Sequence, residues 1–164
     1  MSEILIRLSV LEKLKRIRTK PIGYIVLFIM ALIIIEIMSG AIIYLMESYT
    51  GKEININNDF NRHSMFYKFI VGCIVGPVIE TYIFQLVPYN YLRNKNVKTP
   101  FIILFSSLLF SFVHYYSIPY IITTFFIGIL LISAYAYWQG TKPNKFIIVC
   151  LIHSFHNILV LLFS

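Results

Sequence analysis

The 164 residues are 59% apolar or aromatic and only 13% charged, with a mean hydropathy of +0.79, which excludes an ordinary soluble globule. Such a length holds one domain of about five spans at roughly 20 residues each, and no large soluble domain besides. The net charge of +7 comes from 14 Lys and Arg against 7 Asp and Glu. Six of the cations precede residue 21, and with no basic stripe interleaved with aromatics on a soluble face, the pattern fits an anionic membrane surface and argues against nucleic acid.

Residues 1–20 set Ile4, Leu8, Leu11, Leu14 and Ile17 on one helical face, with Arg7, Lys13, Lys15, Arg16, Arg18 and Lys20 around the rest. That pattern predicts a basic amphipathic helix lying in the membrane interface. A charged flank that merely orients the next span is the alternative, and it leaves the segment on the same side. The apolar stretch 22–46 exceeds the roughly 7–15 residues of a signal-peptide core, so it reads as a retained span. A polar, Asn-rich loop over 47–64 follows. Four further apolar segments come at about 66–92, 100–116, 118–138 and 146–163, separated by RNKNVKT, the Ser117-Ile118-Pro119 break and QGTKPNK. The expected fold is therefore all-α: a polytopic transmembrane helical bundle of about five spans over residues 21–164, preceded by the basic segment 1–20.

Orientation follows from charge. The N-terminus and the 93–98 and 142–145 loops carry eleven cations, against Lys52, Arg62 and Lys68 on the other side, which places the N-terminus inside and the C-terminus outside. Cys73 and Cys150 fall in apolar runs with no metal-ligand spacing and read as buried free thiols. Tyr residues and Trp138 near the span ends read as interfacial belts.

Polar and ionisable groups within hydrocarbon are costly and call for a partner or a function. Glu36, Glu80, His114, His153 and Asn157 are the ones that stand out. Glu36 lies in IIIEIM with no polar neighbour in sequence, so it is either protonated or paired with another helix. Glu80 lies three residues after Pro77, which should kink the second span and free a carbonyl near mid-membrane. His153 and Asn157 are one turn apart on one face of the last span, with His156 on a neighbouring direction. By helical rise, Glu80, His114, His153 and Asn157 lie roughly 10–20 Å from the cytoplasmic ends of their spans, so all four can meet. A carboxylate, two imidazoles and a carboxamide suit hydrolysis, by activating water and polarising a carbonyl or holding a metal; the same groups also suit a proton relay.

Three motifs carry a family resemblance. Glu80-Thr81-Tyr82-Ile83-Phe84-Gln85 stands where EExxxR is expected, Phe110-Ser111-Phe112-Val113-His114 matches FxxxH, and His153-Ser154-Phe155-His156-Asn157 matches HxxxN. In this order, at separations of 34 and 39 residues, they resemble the CPBP family of intramembrane proteases, also called the CAAX protease and bacteriocin-processing or Abi family, over a core of about 66–164. The resemblance implies an endopeptidase of the bacterial plasma membrane acting on a peptide or membrane-anchored protein, in bacteriocin processing or self-immunity. Glu80 would then be the general base and His114 would bind the water or a metal, while His153 and Asn157 would stabilise the oxyanion or complete a metal shell. Either a glutamate-dependent enzyme or a metalloprotease is implied, the latter with a divalent metal such as zinc on Glu80, His114 and His153. Thr81 and Gln85 depart from the motif, which lacks its second acid and its arginine here. A noncatalytic, CPBP-like binding or immunity protein is accordingly the alternative.

Overall fold

The computed structural model describes Glu12 and residues 17–54 and 62–163. Over residues 21–163, five helices follow one another among the described residues: α1 (Pro21–Thr50), α2 (Met65–Asn94), α3 (Thr99–Phe112), α4 (Ile118–Tyr137) and α5 (Lys145–Phe163). There is no strand among the described residues. The all-helical, membrane-spanning architecture expected from hydropathy is the observed one. The amphipathic helix expected over 1–20 falls mostly on residues outside those described.

The helix ends follow local chemistry. Prolines at the first turns of α1, α3 and α4 remove N–H groups that would have no intrahelical partner. Ser64 and Ser117 accept the Tyr67 and Tyr120 N–H groups at the starts of α2 and α4, and Asn144 Oδ1 accepts that of Ile147 at 3.0 Å. Gly51 closes α1 at φ 65°, in the left-handed region, with its N–H on the Glu47 carbonyl at 2.8 Å.

Four of the helices are long and apolar enough to cross a membrane; α3 is shorter, at 14 residues. The third segment, expected to run helical to 116, stops at Phe112. A turn brings His114 N–H onto the Ser111 carbonyl at 3.0 Å, so His114 sits just past the helix and not within it.

The core lies where α1, α4 and α5 meet: Tyr24, Leu32, Leu131, Ile132, Ile148 and Ile152 are buried. Tyr24 donates to the Ala134 carbonyl at 3.0 Å and packs on Trp138 with ring centroids 5.0 Å apart. Trp138 is only 2% exposed, which corrects its reading as an interfacial-belt residue. Its Nε1 donates to the Pro143 carbonyl at 3.0 Å, and its ring lies so close over Gly140 that a Cβ there would fall 2.1 Å from it. The hydrophobic effect of an enclosed site thus outweighs the headgroup preference of an indole.

The same end gathers the cations. Gln139 N–H donates to the Arg18 carbonyl at 3.0 Å, Arg18 lies over the Tyr137 ring at 5.2 Å, and Lys145 lies over that of Tyr89 at 5.1 Å. Arg18, Lys145 and the α2–α3 loop thus share the end that the positive-inside rule assigns to the cytoplasm.

Candidate functional site

The site begins with irregularity in α2. Its windings Lys68–Val75 and Thr81–Leu86 are π-helical, flanking the α-helical Gly76–Glu80; such wide turns are frequent at functional sites. Gly76 N–H donates to the Val71 carbonyl five residues back. Gly72 therefore loses its α-register donor, and its π-register donor would be Pro77, which has no N–H. The stranded carbonyl accepts instead from Asn157 Nδ2 of α5 at 2.8 Å. The carbonyl expected to be freed near Pro77 is thus that of Gly72. Further along, Pro88 denies Phe84 its α-register donor, and the Phe84 carbonyl accepts from the Ser106 hydroxyl of α3.

Between the windings, Glu80 Oε2 lies 3.6 Å from His153 Nε2 of α5; the histidine side chain is 4% exposed and the glutamate 30%. An accessible carboxylate thus faces a sheltered imidazole. His153 Nδ1 has no hydrogen-bond partner among the described residues. His114 lies within electrostatic range of both. Its Nδ1 is 2.7 Å from the Phe110 carbonyl; as a carbonyl only accepts, Nδ1 carries a proton, and in the neutral ring that leaves the lone pair on Nε2. Phe110 packs beside both rings, at 4.6 Å from His114 and 5.9 Å from His153.

A second acid–imidazole contact sits beside the first. Glu36 Oε1 of α1 is 3.2 Å from His156 Nε2, and His156 Nδ1 is 3.1 Å from Asn157 Oδ1. Glu36 therefore has an ion-pair partner on another helix, although His156 Nε2 makes no hydrogen bond among the described residues. His156 was visible in the sequence only as a neighbour of HxxxN, and nothing there signalled its pairing. Tyr120 is the other residue that sequence reasoning missed: its ring is 5.9 Å from that of His114, and it lies within electrostatic range of Glu36 and Glu80. By helical rise these groups lie about 12–26 Å from the cationic ends of their helices.

Of the four residues expected to meet, Glu80 and His153 face each other with His114 beside them. Asn157 is engaged elsewhere, on Gly72 and His156. No group of three or more His, Cys, Asp or Glu among the described residues is placed to hold a metal ion. The donors Glu80, His114 and His153 do not gather as a metal shell in this arrangement. Thr81 and Gln85 are fully buried. Thr81 faces Cys150, and neither atom of the Gln85 amide has a hydrogen-bond partner among the described residues.

A bundle of apolar helices enclosing carboxylate–imidazole pairs defines an integral membrane protein with a polar site inside the span. Residues 62–159 match the family model described as type II CAAX prenyl endopeptidase Rce1-like. The chain belongs to this Rce1-like family, consistent with the CPBP resemblance, and is in general terms an intramembrane endopeptidase type of protein, set in a lipid bilayer and directed at peptide substrate. Neither a curated protein nor a solved structure matches it.

Proposed function

We propose that the chain is an active intramembrane endopeptidase in which Glu80 is the general base. The observation that carries this reading is the accessible Glu80 carboxylate, 3.6 Å from the sheltered His153 Nε2. Glu80 takes a proton from water as its oxygen adds to the scissile carbonyl carbon, and afterwards returns that proton to the leaving amine nitrogen. His114, with Nδ1 held by Phe110 and Nε2 free, accepts a hydrogen bond from the water and orients it. His153 donates from Nε2 to the oxyanion. Asn157 keeps one N–H beyond the one it gives Gly72, so its first task is to hold α5 against α2. The substrate class that the resemblance implies is a peptide or membrane-anchored protein, in bacteriocin processing or self-immunity.

The neutral, buried Thr81 and Gln85 favour a second reading, a noncatalytic binding or immunity protein. Cleavage of a membrane-anchored peptide by purified wild type, Glu80→Gln and His114→Ala separates the two, once equal thermal melts confirm folding. Loss of cleavage in Glu80→Gln by at least about a hundredfold, and a smaller loss in His114→Ala, is expected of the enzyme. The donor geometry leads us to expect activity to survive a chelator. Equal behaviour of all three proteins would overturn the enzymatic reading.

A further inference from the structure

Asn157 fixes the protonation of its neighbours. The Gly72 atom that meets the amide is its carbonyl oxygen, so the amide group facing it at 2.8 Å is the nitrogen, and the oxygen faces His156 Nδ1 at 3.1 Å. The two atoms facing the imidazole are therefore oxygens: Asn157 Oδ1, which can only accept, and Glu36 Oε1 at 3.2 Å from Nε2. Nδ1 must carry a proton to meet the amide oxygen. The Nε2–Oε1 contact is of ion-pair range and not a hydrogen bond, Nε2 having no hydrogen-bond partner among the described residues; a second proton on one of the two groups still follows, since a bare carboxylate against an imidazole lone pair would repel. Whichever atom holds it, the pair is net neutral, the form in which two ionisable groups are least costly inside a membrane.

The resulting chain runs Glu36, His156, Asn157, Gly72, and so joins α1, α5 and α2. Its last member is the carbonyl stranded by Gly76 and Pro77, in the winding that leads into Glu80. Glu36 lies outside the matched residues 62–159.

We propose that Glu36 is a positioning residue of the site: it pins His156 as the Nδ1–H donor, which turns the Asn157 carboxamide toward Gly72 and thereby sets the winding that presents Glu80. The effect on catalysis rests on the endopeptidase reading, while the effect on the imidazole and the amide does not. The chain thus makes α1 part of the working site and not only a lipid-facing strut.

The test compares wild type, Glu36→Gln and Glu36→Leu in detergent micelles, by 15N spectra of the His156 ring and the Asn157 side-chain amide and by peptide cleavage. Gln can donate an N–H to Nε2 and keep Nδ1 protonated; Leu offers nothing. Glu36→Gln should retain the wild-type Asn157 amide signals and near wild-type kcat. Glu36→Leu should lose the fixed Nδ1–H tautomer, shift the amide signals, and lower kcat about ten- to a hundredfold at unchanged KM. If Glu36→Leu unfolds, the Glu36→Leu/His156→Leu pair, which leaves neither partner orphaned, replaces it, with the same shift of the amide signals and loss of kcat expected. Unchanged amide signals in the Leu variants would overturn the proposal, and so would a Gln variant as impaired as the Leu variant. A wild type that cleaves nothing, yet shows these spectral changes, would refute the endopeptidase reading and leave the positioning of Asn157 by Glu36 standing.

Discussion

The bond from Asn157 to Gly72 makes a quantitative prediction, because the reason for it is known. Gly72 lacks both helical donors: Gly76 N–H is spent on Val71 and Pro77 has none. Asn157→Leu should therefore leave a carbonyl without a partner. An unsatisfied buried group costs about 1–3 kcal/mol in water-soluble proteins, but interhelical bonds in membranes average nearer ~0.6 and reach ~1.7. With Gly72 half-buried, about 1–1.5 kcal/mol is the expected loss. Pro77→Ala restores an N–H in the π register of Gly72, so in that background Asn157→Leu should cost no more than about 0.5 kcal/mol. The assay is reversible unfolding by a denaturing detergent in mixed micelles, run as a double-mutant cycle. Additivity of the two substitutions within about 0.3–0.5 kcal/mol would refute the account, since independent sites add to that tolerance.

Other outcomes follow from the same packing. Gly76→Ala should destabilise by about 1–3 kcal/mol although Ala is the better helix former, because a Cβ at 76 would fall 2.9 Å from the Val71 carbonyl oxygen and 3.5 Å from Glu80 Oε1; a thermal melt that rises would contradict the wide turn. At the fully buried positions 81 and 85, Gln85→Arg alone should destabilise by about 3–5 kcal/mol as an unpaired buried charge, and Thr81→Glu/Gln85→Arg should recover most of that loss; equal melts for the single and double variants would argue against a shared site. Tyr24→Phe removes the hydroxyl that meets Ala134 at 3.0 Å and should lower stability by about 0.5–1.5 kcal/mol in the mixed-micelle assay, leaving cleavage untouched.

Much of the architecture was legible because the bilayer imposes simple rules. Apolar length and loop charge gave the order of the helices and the end at which Arg18, Arg93 and Lys145 gather. Motif spacing picked out Glu80 and His153, which the fold brings within 3.6 Å. Local backbone accounting was harder to read. Pro77 signalled a freed carbonyl, but whether that yields a kink or a π winding depends on a donor from α5, 80 residues later in the chain by position number, and on Gly76 tolerating the close approach of Val71. The end of α3 at Phe112 left no periodic signal, since the apolar run continues into Val113. Glu36 and His156 are unreadable as a pair: Glu36 has no polar neighbour in sequence, His156 stands only beside HxxxN, and the packing of α1 on α5 decides that they meet.

The arrangement on α5 explains how one span carries so much polarity. His153 and His156 stand three residues apart and direct their Nε2 atoms to different helices, one to Glu80 of α2 and the other to Glu36 of α1. Each imidazole thus meets a carboxylate, and a carboxylate–imidazole pair that is jointly neutral avoids most of the cost of placing either charge alone in hydrocarbon. The two contacts are not equivalent. The Glu36 contact is the shorter at 3.2 Å, and His156 is tied through Nδ1 and Asn157 to Gly72, although its Nε2 makes no hydrogen bond among the described residues. The Glu80 contact is looser at 3.6 Å, and His153 Nδ1 is unpartnered among the described residues where His156 Nδ1 reaches Asn157; the two carboxylates are alike in exposure, at 30% for Glu80 and 33% for Glu36. A group that must accept a proton and then release it needs a partner it can leave; a group that must hold a helix in register needs one it cannot. The tie of His156 through Asn157 to the α2 backbone, which His153 lacks, is what favours chemistry at Glu80 and scaffolding at Glu36 in the reading proposed above.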